Sequence, residues 1–194
     1  MVIGRPREFD QEEVLDRVVD LFWKHGYEGT SMATVTSATG LSKPSLYSAF
    51  GGKAELFRRA FERYWLRLAN FVGEPLSEPS ARVGIEKLLH GLVDYQTQPG
   101  LPHGCLAVHG SLVGSDTSSP IRADLNARRG TTQAMVRKRL LRAQADSEIA
   151  NNIDVDDLAS YIATLIQGLA VQAAGGASRE QLHRVIEIAM RAWP

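Results

Sequence analysis

The sequence lacks the features of a secreted or membrane protein. Its 194 residues include one cysteine, Cys105, so no disulfide can form within the chain. The first ten residues are too polar for a signal peptide, and no apolar run approaches the length of a membrane span. We therefore expect a cytoplasmic protein that does not contact membranes.

Signals for β-strands are also scarce. The sequence has no long alternation of apolar and polar residues and no Asn-Gly or Asp-Gly hairpin turn. Hydrophobic residues make up 44 % of the chain, and they recur at spacings of three and four almost throughout. These features predict an all-α protein of about nine helices.

The chain carries no excess of either charge. It has 22 Lys and Arg against 22 Asp and Glu, so net charge alone favours no partner. The placement is uneven, because acidic residues concentrate between positions 10 and 20, whereas Arg5, Arg7, Lys43 and Lys53 surround a pair of short helical segments. Local placement of this kind decides whether a phosphate backbone is attracted.

No catalytic or cofactor motif is present. The glycines and serine of residues 110–114 lack the G-x-S-x-G order of a nucleophile elbow, and there is no P-loop. Cys105 and His109 are spaced to share a helix face near His103, but no carboxylate or second cysteine joins them locally. The sequence predicts no enzyme, no cofactor and no metal site.

The most specific pattern lies between Thr30 and Lys53. Two short helical segments meet at Gly40, and Ser42 is a typical N-cap for the second one. That second segment is small and polar at its start and becomes apolar towards its end. This is the layout of a helix-turn-helix, whose second helix enters the DNA major groove.

The same stretch and its neighbours resemble the N-terminal signature of the TetR family of transcriptional regulators. The residues that carry the resemblance are Asp10, Val14, Leu15, Leu21, Phe22, Gly26, Tyr27, Thr30, Ser31, Met32, Val35, Ala38, Gly40, Leu41, Ser42, Lys43, Ser45, Leu46, Tyr47, Phe50, Lys53 and Leu56. The resemblance implies a helix-turn-helix DNA-binding domain at residues 1–53 and a helical ligand-binding and dimerisation domain at residues 54–194. It also implies a homodimer that acts as a repressor or, less often, as an activator.

Within this motif we predict two sets of residues. The predicted DNA-binding residues are Arg5, Arg7, Thr30, Ser31, Ser42, Lys43, Ser45, Tyr47 and Lys53, which either start a helix and reach base edges or donate to phosphates. The two arginines lie in an N-terminal arm that can enter the minor groove. For the hydroxyl residues the alternative is helix capping alone, and for Tyr47 it is packing. The predicted core residues are Met32, Val35, Ala38, Leu41, Leu46 and Phe50.

The last two predicted helices are the most apolar. By resemblance we expect them to form the homodimer interface as a four-helix arrangement. The candidate interface residues are Tyr161, Leu165, Gly168, Leu169, Val185, Ile186, Ala189, Met190 and Trp193. The alternative is that these helices only cover the core of their own chain.

The resemblance further implies an effector pocket among the fifth to eighth helices. The candidate lining residues are Leu89, Tyr95, Cys105, His109, Leu112, Met135 and Tyr161, which suit an apolar or aromatic small molecule; the alternative for each is core packing. We therefore predict a repressor that a ligand releases from a palindromic double-stranded DNA operator. The alternative is a repressor that senses oxidants or electrophiles through Cys105, which can equally be a buried apolar residue.

Overall fold

The computed structural model describes residues 9–112 and 119–194 of the chain. Within these residues it has nine α-helices, one 3-10 turn (Pro75–Ser77) and no strand, which confirms the all-α prediction. The helices are α1 (Gln11–Gly29), α2 (Met32–Thr39), α3 (Lys43–Phe50), α4 (Lys53–Gly73), α5 (Ala81–Gln96), α6 (Leu106–Leu112), α7 (Ser119–Ala145), α8 (Val155–Ala174) and α9 (Arg179–Met190). Among the described helices, none combines the length and apolarity needed to cross a membrane.

Short polar side chains set where the first three helices begin. The Asp10 carboxylate accepts from the backbone N–H of Glu12 at 2.8 Å, Ser31 caps α2 and Ser42 caps α3. Each cap satisfies an N–H group that has no partner inside its own helix, which is worth about 1 kcal/mol. Gly40 then ends α2 with a φ of 71°, a left-handed conformation that glycine adopts without strain.

Aromatic packing joins α1 to the first half of α4. The ring centroids of Phe22 and Phe57 lie 4.9 Å apart in an edge-to-face arrangement, and so do those of Trp23 and Tyr64. All four side chains are buried. The chain divides into two compact units after Tyr64, within α4. The boundary after residue 53 that the resemblance implied stays a prediction.

The predicted core of the helix-turn-helix is partly confirmed. Val35, Leu46 and Phe50 are buried, whereas Met32 and Leu41 are half-buried. The prediction for Ala38 is wrong, because this residue is exposed. The inner face of α2 instead carries Val35 and, four residues on, Thr39, whose hydroxyl donates to the Val35 carbonyl at 2.8 Å.

In the second unit α5 is the central helix. Its buried face includes Ile85, Leu88, Leu89 and Val93, and it packs against α7, α8 and α9. α7 in turn packs against α6 and α8. This apolar helical bundle encloses the cavity described below.

A buried arginine fixes the turn that leads into α5. One Nη of Arg139 donates to the carbonyls of Glu78 and Pro79 and, at 3.0 Å, to the Glu148 carboxylate. The other oxygen of Glu148 accepts from the backbone N–H of Ala81 at 2.6 Å. That N–H and then Arg139 hold the pKa of Glu148 below its usual range, so the carboxylate stays charged at the start of α5.

Candidate DNA-binding surface and ligand cavity

The start of α3 gathers three of the predicted DNA-binding residues. Ser42 and Lys43 are exposed and Ser45 is half-buried. The hydroxyls of Ser42 and Ser45 lie 2.8 Å apart, and Ser42 Oγ also accepts from the Ser45 backbone N–H at 3.3 Å. Ser42 is therefore a helix cap, and the pair still presents hydroxyl groups on an exposed helix start.

Tyr47 lies on the same exposed side of α3. Its side chain is 45 % exposed, so it is not a core residue as the packing alternative required. The Lys43 ammonium lies 5.9 Å from the centre of the Tyr47 ring, which places a charge and a phenol together. Leu46 and Phe50 are buried on the other side of the helix. α3 thus has one anchored face and one polar face.

Two further predicted contacts begin the neighbouring helices. Ser31 is exposed, and its hydroxyl accepts from the Thr34 backbone N–H at 3.0 Å as the cap of α2. Lys53, the first residue of α4, is half-buried and has its ammonium 4.3 Å from the centre of the Tyr27 ring. The aromatic ring holds this lysine in place while leaving its donors for an anion.

The predicted phosphate contact by Thr30 is wrong. Thr30 has 0 % exposure, and its hydroxyl donates to the Gly26 carbonyl at 2.8 Å. Gly26 interrupts α1 with a φ of 69°, so its carbonyl needs a partner from outside the regular helix ladder. Thr30 therefore closes the end of α1 and does not face a ligand. Arg5 and Arg7 lie outside the described residues.

Ion pairs within the first unit offset the acidic stretch of α1. Arg63 bonds to both Glu12 and Asp16, with one Nη 2.6 Å from an Asp16 carboxylate oxygen. These partners, Asp16 foremost, raise the pKa of Arg63. Glu13 pairs likewise with Arg17 at 2.6 Å. Neutralising these carboxylates removes part of the repulsion that DNA would otherwise meet.

The second unit contains a cavity of about 50 Å³. Residues from α4 to α8 line it, among them Trp65, Leu92, Gln96, Cys105, Gln133 and Ile166. Most of the wall is aliphatic or aromatic, and three glutamines, Thr132 and Arg129 interrupt it. This composition is typical of a site for a mainly apolar small molecule.

Of the predicted pocket residues, Cys105 lines this cavity and is buried. Leu89 and Tyr95 are buried elsewhere in the bundle, and His109 is half-buried outside the cavity wall, where burial lowers the pKa of its imidazole. Met135 and Tyr161 are exposed. These five residues do not line this cavity, and their place in a ligand pocket stays a prediction. The side chain of the remaining candidate, Leu112, lies outside the described residues.

Gln96 lines the cavity but was not among the predicted pocket residues, although its spacing along α5 indicates that it is buried. It follows Leu88 and Leu92 at successive spacings of four, so it continues the buried stripe of α5 with a polar side chain. A glutamine on such a stripe is either compensated by a partner or reserved for a ligand. The sequence cannot tell which of the two applies.

α8 and α9 share an open groove of about 460 Å³. It includes Tyr161, Leu165, Gly168, Leu169 and Val185, all predicted for the dimer interface. Tyr161 and Val185 are more than 40 % exposed, which is unusual for large apolar side chains on adjacent helices.

The remaining residues predicted for the interface differ in exposure. Ile186, Met190 and also Leu169 are buried within their own chain, and their assignment to the interface stays a prediction. Ala189 and Trp193 are half-buried. Ile188 and Val171 are further exposed apolar residues of the same two helices.

Comparison with known proteins identifies the family. Residues 14–60 match the model of bacterial regulatory proteins of the tetR family, and residues 82–189 match that of the tetracyclin repressor-like C-terminal domain. The chain belongs to the TetR family of transcriptional regulators. The two models together match both compact units.

Among the relatives is the HTH-type transcriptional repressor ComR of Escherichia coli, which is 34 % identical over 98 % of this chain and 92 % of its own length. The E. coli repressor BdcR is 29 % identical over 93 % of this chain and 87 % of its own. A solved structure of the TetR-family regulator CifR, a cysteine mutant bound to 26-bp operator DNA, is 42 % identical with a TM-score of 0.94, covering 98 % of this chain and all of that one.

Proposed function

We propose that this TetR-family protein is a homodimeric repressor that binds a palindromic operator and is released by a small molecule bound in the cavity of its second unit. The observation that carries the DNA-binding part is the polar face of α3. Ser42, Lys43, Ser45 and Tyr47 occupy that face, while Leu46 and Phe50 anchor the helix from behind. A helix that is exposed on one side and held on the other can enter a major groove without rearranging.

Each side chain on this face has a chemical role that DNA requires. The Lys43 ammonium can donate to guanine O6 and N7, and the serine hydroxyls can serve several bases. Phosphate oxygens can accept hydrogen bonds from the Tyr47 hydroxyl, from the start of α2 at Ser31 and from the Lys53 ammonium. Because net charge is zero, affinity then depends on a few placed donors rather than on a broad basic surface. The repressors and the operator complex among the relatives support this assignment.

The groove of α8 and α9 supports the homodimer. Exposed apolar side chains line it, and Gly168, which has no side chain and open space around its Cα, allows a helix to approach closely. Two copies related by a twofold axis would place these helices against each other as a four-helix interface. Such a dimer presents two α3 helices to two half-sites.

The small size of the cavity supports release by a ligand. A drug-sized ligand occupies a pocket of about 300–1,000 Å³, whereas this cavity measures about 50 Å³. An effector of that size therefore binds a wider arrangement of α4–α8 more tightly than the present one. Only such a difference in affinity between two conformations can shift the protein from one to the other. α4 is the connecting element, because it begins at Lys53 and supplies Trp65, Leu68 and Val72 to the cavity wall.

Cys105 supports a second candidate trigger. Its side chain lines the same cavity, so a small oxidant that enters can reach the thiol. Hydrogen peroxide would oxidise the thiol to a sulfenic acid, with one peroxide oxygen added to sulfur and the other released as water, which adds a polar group to an apolar wall. If a Cys105→Ser protein still leaves its operator when treated with peroxide, this candidate is wrong and reversible ligand binding remains.

Fluorescence anisotropy with DNA from the chain's own upstream region tests the proposed function. We expect saturable binding that weakens steeply as salt rises from 50 to 200 mM. Lys43→Ala should lower the affinity by at least about tenfold, since a base contact is lost. Lys138→Ala removes an exposed lysine of the second unit and serves as the matched control, with affinity unchanged. The proposal would be contradicted if Lys43→Ala and Lys138→Ala lost operator affinity equally, or if the protein bound no upstream palindrome.

A further inference from the structure

We infer that Gln96 selects the molecule that enters the cavity, and that this molecule is a compact apolar body carrying one hydrogen-bond donor, such as a hydroxyl. The inference rests on the proposed ligand cavity and adds the chemical class of its ligand. It comes from one amide oxygen that has no hydrogen-bond partner in the part of the chain that the structure describes.

Gln96 is a buried polar residue at the end of α5. Its side chain is 2 % exposed, and its Oε1 atom has no hydrogen-bond partner among residues 9–112 and 119–194. Its backbone is occupied separately, because the Gln96 carbonyl accepts from the Gly104 N–H at 3.0 Å. Fixing the turn after α5 therefore does not require the side-chain amide.

An orphaned buried acceptor is costly, since it has lost its hydrogen bonds to water and gained none. A methionine of nearly the same shape would avoid that cost at this position. Gln96 lines the cavity, where a bound molecule can supply the missing donor. A ligand that donates to Gln96 thus gains a bond that no group of the described residues provides.

The other residues of the cavity wall restrict the polarity of the rest of the ligand. Leu68, Val72, Leu92 and Val108 present aliphatic surface, and Trp65 presents an aromatic ring. Arg129 also lines the cavity and has an interaction of its own, but its buried Nε atom has no hydrogen bond among the described residues. The Gln133 amide donates to Ser160 at 3.1 Å. A hydroxyl on an apolar body suits this wall, because it can donate to Gln96 Oε1 and still accept from a neighbouring donor.

Three probes of matched size test this selection on the full chain by calorimetry. Phenol carries a donor, toluene replaces the hydroxyl with a methyl group, and benzonitrile offers only an acceptor. We expect phenol to bind about fivefold more tightly than either of the others, the gain from one buried hydrogen bond. In a ¹⁵N spectrum the Gln96 side-chain amide should shift with phenol and much less with toluene.

Variants separate selection by Gln96 from general apolar binding. Gln96→Met should abolish the preference for phenol and leave toluene binding equal or tighter, with an unchanged or higher Tm, because an orphaned polar group has been removed. Gln133→Met is the matched control, since that amide already has a partner, and it should keep the preference.

The inference is overturned if the wild-type chain binds toluene or benzonitrile as tightly as phenol, if it binds no phenol at millimolar concentration, or if Gln96→Met keeps the preference. The first two outcomes do not depend on the folding of the variant, because they are measured on the wild-type chain. If phenol is preferred but leaves operator binding unchanged, the selection by Gln96 stands and the proposed release through this cavity fails.

Discussion

His90 Nδ1 lies 2.6 Å from His183 Nδ1 and joins α5 to α9. On its other side His183 Nε2 lies 2.9 Å from an Asp94 carboxylate oxygen. A neutral His183 can donate from Nε2 to Asp94 and accept at Nδ1 from the Nδ1–H of His90. A proton added at His183 Nδ1 would set two N–H donors against each other, and one added at His90 Nε2 would place a positive charge in this partly buried contact.

This contact makes the free energy of unfolding depend on pH. Burial, followed by the charge of His183, lowers the pKa of His90, and Glu86, Asp94 and Glu187 only partly oppose that shift. Because the unfolded chain takes up the proton more readily, the stabilisation is fully present above a pH of about 6.5 and is lost as pH falls through the lowered pKa. Urea unfolding from pH 7.5 to 5 should show stability falling with pH.

His90→Gln should flatten that pH dependence, because it removes the group with the lowered pKa. His103→Gln is the matched control, since this histidine is exposed, and it should leave the dependence as it is in the wild type. A stability that rises on acidification over this range would contradict the assignment of the His90–His183 contact.

Removal of a single hydroxyl from α3 tests the role of Tyr47. Tyr47→Phe keeps the exposed ring beside Lys43 and deletes only the donor to phosphate. We expect operator affinity to fall about two- to tenfold, the range for one hydrogen bond. Tyr161→Phe, in which an exposed tyrosine of the second unit loses the same atom, should leave the affinity unchanged. Anisotropy titrations of the two variants in parallel give the answer.

Thr30→Val separates a structural role from a DNA contact. Valine has the same shape but leaves the Gly26 carbonyl without its buried donor, so we expect a loss of about 1–3 kcal/mol in the free energy of unfolding. Thr36→Val, whose hydroxyl bonds to the Ala33 carbonyl at a more exposed position, should cost much less. If folded Thr30→Val protein loses operator affinity without losing stability, Thr30 contacts DNA after all.

A charge in the α8–α9 groove tests the dimer. Val185→Asp places a carboxylate among apolar side chains that a second copy would cover, so sedimentation should show a shift from dimer to monomer. Leu66→Asp is the control, because Leu66 is a highly exposed leucine outside the groove. A Val185→Asp protein that remains dimeric would move the interface elsewhere.

The sequence was a good guide where structure depends on neighbours along the chain. Asp10, Ser31 and Ser42 cap the helices that their positions indicated, because capping involves only the next two or three residues. Thr30 was misassigned because its role follows from the break at Gly26, and a break of that kind is set by packing.

The faces of the C-terminal helices were harder to predict for a related reason. Val185 and Ile186 are consecutive apolar residues of α9, yet the first is exposed in the groove and the second is buried in the bundle. Successive side chains on a helix point about 100° apart. When two faces of a helix are apolar, the sequence therefore does not show which face packs against the rest of its own chain. The burial of Gln96 likewise depends on tertiary packing, which helical spacing from Leu92 indicates but does not determine.

The central claim is that two copies of the α3 face bind one operator together. Sedimentation and anisotropy with the upstream palindrome, with one half-site alone, and with the palindrome split by an extra half-turn of DNA measure this directly. We expect two chains on the intact palindrome, and an affinity about 100-fold lower for the half-site and for the split site, because the linked second head is lost. One chain per duplex, with equal affinity for all three DNAs, would contradict the claim.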